Sequence, residues 1–311
     1  MRKILVTGGC GFVGVNLIDY LRRTTDWDIV VLDNQSLGKK DYLAPYRVTF
    51  IDGDIRDAES VSKAVSGVTS IVHLAADTRV IDSIENPAHN FDVNVRGTFC
   101  LLEAARRAGI KRLVFASTGG AIIGAAQPPV HEGMVPKPTA PYGASKLFGE
   151  GYLSAYSASY GMNATALRFS NVYGPRSYHK GSAVAQFFKN VLAGKEITVF
   201  GDGTQTRDYV HVDDICSAIA LALTVEKSGS VYQLGSGIAT SVNELLDLIR
   251  VAIHPNPMPE IKYMPFRAGE LVHTHSSIEK AVTELGYRPT RLLAEGIAET
   301  WKWFLSHNKE I

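Results

Sequence analysis

Thr7-Gly8-Gly9-Cys10-Gly11-Phe12-Val13-Gly14 is the stretch that decides the fold. An apolar run, residues 3–7, leads into it, and a helical pattern over residues 11–23 leads out. Gly9, Gly11 and Gly14 fit the spacing G-x-G-x-x-G, while Gly8, Gly11 and Gly14 fit G-x-x-G-x-x-G. Between a strand and a helix, such glycines turn the chain tightly and let backbone amides approach a pyrophosphate. The helix N-terminus then adds partial positive charge. Asp33 ends a second apolar run, nineteen residues after Gly14, close to the roughly 20 at which an acidic residue meets the ribose 2′-OH. A carboxylate there accepts hydrogen bonds from that hydroxyl and repels a 2′-phosphate. NAD is therefore favoured over NADP, with Lys39 and Lys40 arguing mildly the other way from a loop.

Outward from the turn, short apolar runs alternate with amphipathic stretches. Strands are expected at residues 3–7, 29–32, 48–51, 70–73, 113–116 and 164–169, and helices at 11–23, 58–65 and 91–108, the last stopped by Gly109. Continuous rather than alternating hydrophobicity suits strands covered on both faces, so the fold class is α/β, a doubly wound parallel sheet of Rossmann type. Beyond about residue 171 glycine and proline punctuate often, and helices over 183–193, 242–251 and 292–305 mix with a short strand at 197–200. Residues 1–170, with a return of about 210–236, are read as the cofactor-binding domain. Residues 171–311 are read as a smaller mixed α/β lobe.

The bulk numbers exclude several functions. Of 311 residues, 45% are hydrophobic and 20% charged, which allows a well-filled core; 32 Lys plus Arg against 31 Asp plus Glu leaves a net charge of +1 and no basic stripe for nucleic acid. No apolar run reaches the ~20 residues of a bilayer span. The chain enters its Gly-rich turn without the apolar stretch and cleavage site of a secretory signal. Cys10, Cys100 and Cys216 lack metal-ligand spacing, and no metal site is expected, His273-Thr274-His275 lacking acidic or cysteine partners. A reduced, cytoplasmic protein is expected. Trp301 and Trp303 are read as helix packing, and Asp213-Asp214 as a helix N-terminal cap.

Tyr142-Gly-Ala-Ser-Lys146 opens a helical stretch after the breaker-rich 136–141. Residues four apart share a helix face, so phenol and ammonium can point into one site. A phenol of pKa about 10 is a poor base at neutral pH, and a nearby cation lowers that value. Tyr142 can then take a hydroxyl proton as hydride leaves the same carbon. Ser117 and Thr118 end the fifth strand, where a hydroxyl can hold the substrate oxygen.

Further motifs join these: Val72-His73-Leu74-Ala75-Ala76, Asn94-Val95-Arg96-Gly97-Thr98, Arg168 through Pro175, Phe200-Gly-Asp-Gly203, Thr206 through Asp214, and Arg267-Ala-Gly-Glu270. With them the chain resembles, over nearly its whole length, the extended short-chain dehydrogenase/reductases. Within that NAD-dependent epimerase/dehydratase group it is most similar to UDP-galactose/UDP-N-acetylgalactosamine 4-epimerases. The resemblance implies that Gly8, Gly11, Phe12, Val13, Gly14, Asp33, Asn34, Asp54, Ile55, Leu74, Ala75, Ala76, Asn94, Tyr142 and Lys146 hold NAD. It implies catalysis by Tyr142, Lys146, Thr118 and Ser117. Thr118, Tyr142, Asn171, Phe200, Arg207, Arg267, Glu270 and Thr274 are implied to bind the nucleotide sugar, expected to be a UDP-hexose. A homodimer is implied, packed through helices around 91–108 and 142–160.

Two departures stand out. Ile122-Ile123 occupies the place where the family usually shows a tyrosine, and Ser276-Ser277 stands where an aspartate is usual. Gly119-Gly120 replaces the Asp-Glu of similar 4,6-dehydratases, which disfavours dehydration. Segment Ser177-Tyr178-His179-Lys180 differs from that of uronic-acid enzymes, although both His179 and Lys180 are able to meet a carboxylate. Thr274 is smaller than the tyrosine associated with excluding an N-acetyl group, so UDP-GlcNAc/UDP-GalNAc and/or UDP-Glc/UDP-Gal are expected substrates. The alternatives are a uronate epimerase, a 4,6-dehydratase, a 4-ketosugar reductase and, from another class, a non-catalytic NAD-binding regulator.

Overall fold

The computed structural model describes residues 2–226, 228–266 and 272–307. Its frame is a seven-stranded, wholly parallel sheet. The first six strands are β1 (Lys3–Thr7), β2 (Asp28–Asp33), β3 (Thr49–Asp52), β4 (Ser70–His73), β5 (Arg112–Thr118) and β6 (Asn163–Phe169). Short pieces β7 (Asn171–Tyr173), β8 (Ile197–Phe200), β9 (Thr206–Arg207) and β10 (Tyr209–His211) follow, then β11 (Ser230–Leu234), β12 (Thr240–Ser241) and β13 (Ile261–Met264). The large sheet runs β11-β6-β5-β4-β1-β2-β3, so Ser230–Leu234 returns to it beside β6.

The helices are α1 (Phe12–Thr24), α2 (Ala58–Val65), α3 (Val80–Glu85), α4 (Pro87–Phe91), α5 (Gly97–Arg107), α6 (Gly120–Ile123), α7 (Pro141–Tyr160), α8 (Ala183–Ala193), α9 (Val212–Ala222), α10 (Val242–Ile253), α11 (Glu279–Leu285) and α12 (Leu293–Ser306). Alternate strand residues feed two cores, as the pleat requires. Ile4, Val6, Val31, Val72, Val114 and Leu167 pack under α1 and α9. Leu5, Val30, Leu32, Ile71, Leu113 and Phe115 pack under α2, α5 and α7. Both faces are covered, which explains the continuous apolar runs. A third core, around Phe188, Trp301 and Phe304, joins α8, α10 and α12. Among the described residues no helix is long and apolar enough to cross a membrane.

Two expectations change. The single helix read over residues 91–108 is interrupted by a π-turn at Asp92–Arg96. That turn aims Asn94 inward, where its amide donates to Ser145 Oγ (3.0 Å) and to the Asp77 carbonyl (2.8 Å). A 3.6-residue period carries no trace of such an insertion. The cap of α9 is His211, which accepts from the Asp213 amide, not Asp213-Asp214. Asp214 instead accepts from the Thr290 and Arg291 amides, tying the chain before α12 to α9.

One buried ion pair fastens α7 to the sheet. Arg168 on β6 grips Glu150 on α7 through Nε (2.8 Å) and Nη2 (2.7 Å), with both side chains nearly excluded from solvent. Glu150→Leu leaves the guanidinium buried alone, so a loss of about 3–5 kcal/mol is expected, largely recovered in Glu150→Leu/Arg168→Met. Urea unfolding checks this; a single variant within about 1 kcal/mol of wild type contradicts it.

Candidate active site

The glycine turn sits at the carboxyl edge of β1 and is too tight for side chains. Gly8 has φ 71°, and a Cβ there would lie 2.7 Å from the Ala75 amide nitrogen; one on Gly14 would lie 2.4 Å from the Gly8 carbonyl oxygen. Gly11 caps α1 without a side chain, so the first helical amides are offered to a ligand. The cleft above them measures about 1260 Å³, more than the roughly 300–1,000 Å³ of a usual ligand pocket. That leaves room for a dinucleotide beside a second ligand.

Of the residues expected to hold NAD, Gly8, Gly11, Phe12, Val13, Gly14, Asp33, Asn34, Asp54, Ile55, Leu74, Ala75 and Ala76 line this cleft. Asn94 does not; it stands behind the wall, bonded to Asp77 and Ser145. Asp33 is braced for a ribose, its two oxygens accepting from the Cys10 amide (2.9 Å) and the Gln35 amide (2.7 Å). Burial pushes its carboxyl up, against those two bonds. Asp54 is gripped by Arg56 and by the Asn34 amide, and the Arg56 bonds hold it far below the ordinary carboxylate range. The side chains present therefore fit a dinucleotide with a free 2′-hydroxyl.

Tyr142, Lys146, Ser117, Thr118 and Asn171 line the same cleft. Tyr142 lies in the first turn of α7 and shares the cleft with Thr118 at the end of β5. Lys146, one turn on, donates to the Ala116 carbonyl (2.9 Å) and lies 5.9 Å from the Tyr142 ring centre. Ser117 points the other way, donating to Glu150 at 2.6 Å. Successive strand residues face opposite sides, so Thr118 alone of the two presents its hydroxyl to the phenol.

The electrostatics differ from the sequence-based expectation. Burial pushes the Tyr142 phenol up to about 12, with the Thr118 hydroxyl opposing and Asp77 reinforcing. Burial also lowers Lys146 to about 8, against the pull of Glu150. Desolvation favours the neutral form of each group. The ammonium alone does not make Tyr142 a base at neutral pH, and a further positive charge in the cleft is required.

The remaining expected residues lie elsewhere. Phe200, Arg207 and Thr274 do not line the large cleft. Arg207 donates to the Thr206 and Val272 carbonyls, and the Thr274 amide donates to Thr206. Thr206, Val272, His273 and His275 line a shallower hollow of about 670 Å³. Arg267 and Glu270 lie outside the described residues. Among the described residues no cluster of three or more His, Cys, Asp or Glu side chains could hold a metal ion.

Sequence reasoning missed several cleft residues. Trp301 is packed in the third core, but Trp303 stacks on His307 at 4.6 Å and both line the cleft. Tyr42, Tyr46 and Arg176 also line it. His73 stands just behind: buried, held far towards neutrality at about 3, and bonded to Thr7 and Thr98. Of these, only His73, inside the motif over residues 72–76, and Arg176, directly after the run ending at Pro175, stood beside a local signal.

A parallel dinucleotide fold with a Tyr–Lys helix against a strand-end hydroxyl defines a short-chain dehydrogenase/reductase architecture. The chain belongs to the NAD dependent epimerase/dehydratase family, whose model matches residues 4–235. It is 39% identical to a putative UDP-glucose 4-epimerase of Methanocaldococcus jannaschii, over 98% of this chain and 99% of that one. The UDP-glucose 4-epimerase of Thermotoga maritima, solved with UDP-glucose, superposes with a TM-score of 0.93 at 36% identity, covering 99% of this chain and 100% of that one. A UDP-N-acetylglucosamine 4-epimerase of Methanobrevibacter ruminantium gives 0.92 at 29% identity, covering 98% and 99%.

In nucleotide-free protein Tyr142 should stay protonated past pH 10. Ultraviolet titration of wild type against Tyr142→Phe should show no extra phenolate step below that pH, and one should appear at lower pH once NAD is added. A step near neutrality without NAD would contradict the burial argument.

Proposed function

We propose that this protein is an NAD-dependent nucleotide-sugar 4-epimerase acting on UDP-hexoses through a 4-ketosugar. The observation that carries the reading is the gathering of Tyr142, Lys146 and Thr118 inside the cleft that the glycine turn opens. Bound NAD supplies the acceptor and later the donor of the C4 hydrogen, and a positive charge beside the phenol. Thr118 holds the C4 oxygen while Tyr142 takes its proton. Lys146, fixed by the Ala116 carbonyl, lends its charge to the phenolate. When the ketosugar has turned its other face, Tyr142 returns the proton to the same oxygen.

Residues 1–170, with about 210–236, are assigned to the cofactor and 171–311 to the nucleotide sugar. Asn171 serves the sugar from the cleft wall. Phe200, Arg207 and Thr274 are assigned to the nucleotide sugar, as are Arg267 and Glu270, which lie outside the described residues. Arg207 suits a diphosphate because its guanidinium is already oriented by two carbonyls.

Dehydration is the reading these residues disfavour. A Cβ at position 119 would lie 2.7 Å from the buried Gln233 amide oxygen, so an acid there would have to displace that side chain. Ile123 is buried with Ile122, Val130 and Leu147, so the tyrosine usual there is replaced by aliphatic packing. We place the enzyme in the cytoplasm, where its three free cysteines stay reduced. A homodimer joined through α5 and α7 would cover their exposed aromatics, among them Phe99 and Tyr152, whose rings meet edge to face at 5.9 Å.

Purified protein given UDP-GlcNAc or UDP-glucose and no cofactor should produce the C4 epimer, read from anomeric proton signals. Tyr142→Phe should lose about 10²–10⁴ of that rate while remaining folded. Conversion of neither sugar, or full activity in Tyr142→Phe, would sink the reading. Thr274→Tyr should lower activity on UDP-GlcNAc relative to UDP-glucose by at least about tenfold, a difference of ~1.4 kcal/mol; an unchanged ratio removes Thr274 as the gate.

A further inference from the structure

Chain 175–180 leaves β7 and is clasped onto the cofactor-binding half at three points. The Pro175 carbonyl accepts from Asn16 of α1 (3.0 Å). Arg176 returns the contact, its guanidinium donating to Asn16 Oδ1 (2.8 Å) and to the Tyr46 hydroxyl (3.0 Å). His179 Nε2 pairs with the Tyr42 hydroxyl at 2.7 Å. Arg176 sits at φ 67°, a left-handed conformation that a non-glycine residue keeps only where its surroundings demand it. This short stretch is thus held in place by α1 and by the loop after β2.

The clasp delivers Lys180 to the cleft. Its Nζ donates to the Val172 carbonyl (2.6 Å) and lies 5.1 Å from the ring centre of Phe12, the first residue of α1. Lys180 itself lines the cleft. The side chain is half-buried, yet its ammonium is desolvated enough that burial, with no carboxylate opposing it, lowers the pKa to about 8. A desolvated ammonium supported by one carbonyl and a ring face is costly unless an anion completes it. The anion that a glycine turn and helix N-terminus gather is a diphosphate.

We propose that Lys180 is the smaller lobe's cationic contact for the diphosphate of bound NAD, so that the cofactor is gripped from both halves of the cleft. The proposal rests on the NAD reading of the glycine turn. It adds a reason for an epimerase to retain its cofactor through the turnover, since release then requires the clasp at residues 175–180 to open. A nucleotide sugar also carries a diphosphate; Lys180 is given to the cofactor because it stands over Phe12 at the glycine turn.

The test uses full-length protein stripped of nucleotide, titrated with NAD by calorimetry, and NAD-loaded protein titrated with UDP. Lys180→Met should weaken NAD binding about ten- to hundredfold, the worth of a charge-assisted hydrogen bond. It should leave UDP binding unchanged, and Lys180→Arg should restore NAD binding to within about threefold. Lys180→Gln serves as a second neutral variant, with circular dichroism and an unfolding midpoint confirming the fold of each. Unchanged NAD affinity in a folded neutral variant overturns the proposal. Weakened UDP with unchanged NAD overturns it too, giving the ammonium to the sugar nucleotide. Neither titration depends on turnover. Loss of NAD affinity in a protein that epimerises nothing would defeat the functional reading and leave this one standing.

Discussion

Everything in this molecule follows from strands that run in one direction and must hide both faces. Seven parallel strands need helices above and below them, and each crossover returns the chain so that strand ends gather at one edge. Thr7, Asp33, His73 and Thr118 all end strands at that edge. So do the first amides of α1, delivered by a turn that tolerates only glycine at its closest approaches. The cleft is a consequence of sheet topology, and Arg176, residues 178–182, Trp303 and His307 complete its lining.

The same burial that builds the cleft sets its resting state. On α7, Tyr142, Lys146 and Glu150 follow one another at four-residue spacing against the sheet. The outermost meets Thr118, the middle one a carbonyl of β5, and the innermost the Arg168 guanidinium. Desolvation drives both phenol and ammonium towards neutrality. A protein with an empty cleft is therefore a poor base by construction. On the proposed mechanism, proton transfer waits for the positive charge that bound NAD would bring.

Much of this was legible in the chain because it is written in short-range spacing. The glycines, Asp33 and the pair Tyr142 and Lys146 are local patterns, each placed by one strand or one helix turn. What was not legible depends on partners far away in sequence. Ser117 was grouped with Thr118, yet its hydroxyl belongs to Glu150, and only the three-dimensional pairing with Arg168 makes that carboxylate available. The π-turn at Asp92–Arg96 moves Asn94 off the cleft wall without altering the apolar rhythm. Trp303 packs against the third core as read, but its stack on His307 at the cleft appears only when α12 is laid along that cleft. Lys180 needed the clasp through Arg176 and His179, contacts spanning well over a hundred residues.

The central claim is that one cleft removes a hydrogen from C4 and gives the same hydrogen back to the opposite face. The most direct measurement supplies a UDP-hexose deuterated at C4, with no added cofactor, and follows the label in the epimeric product by mass spectrometry and NMR. Deuterium retained at C4 at the enrichment of the substrate is the expected result. Loss of the label to solvent, or product formed only when NAD is supplied in stoichiometric amounts, would contradict the account.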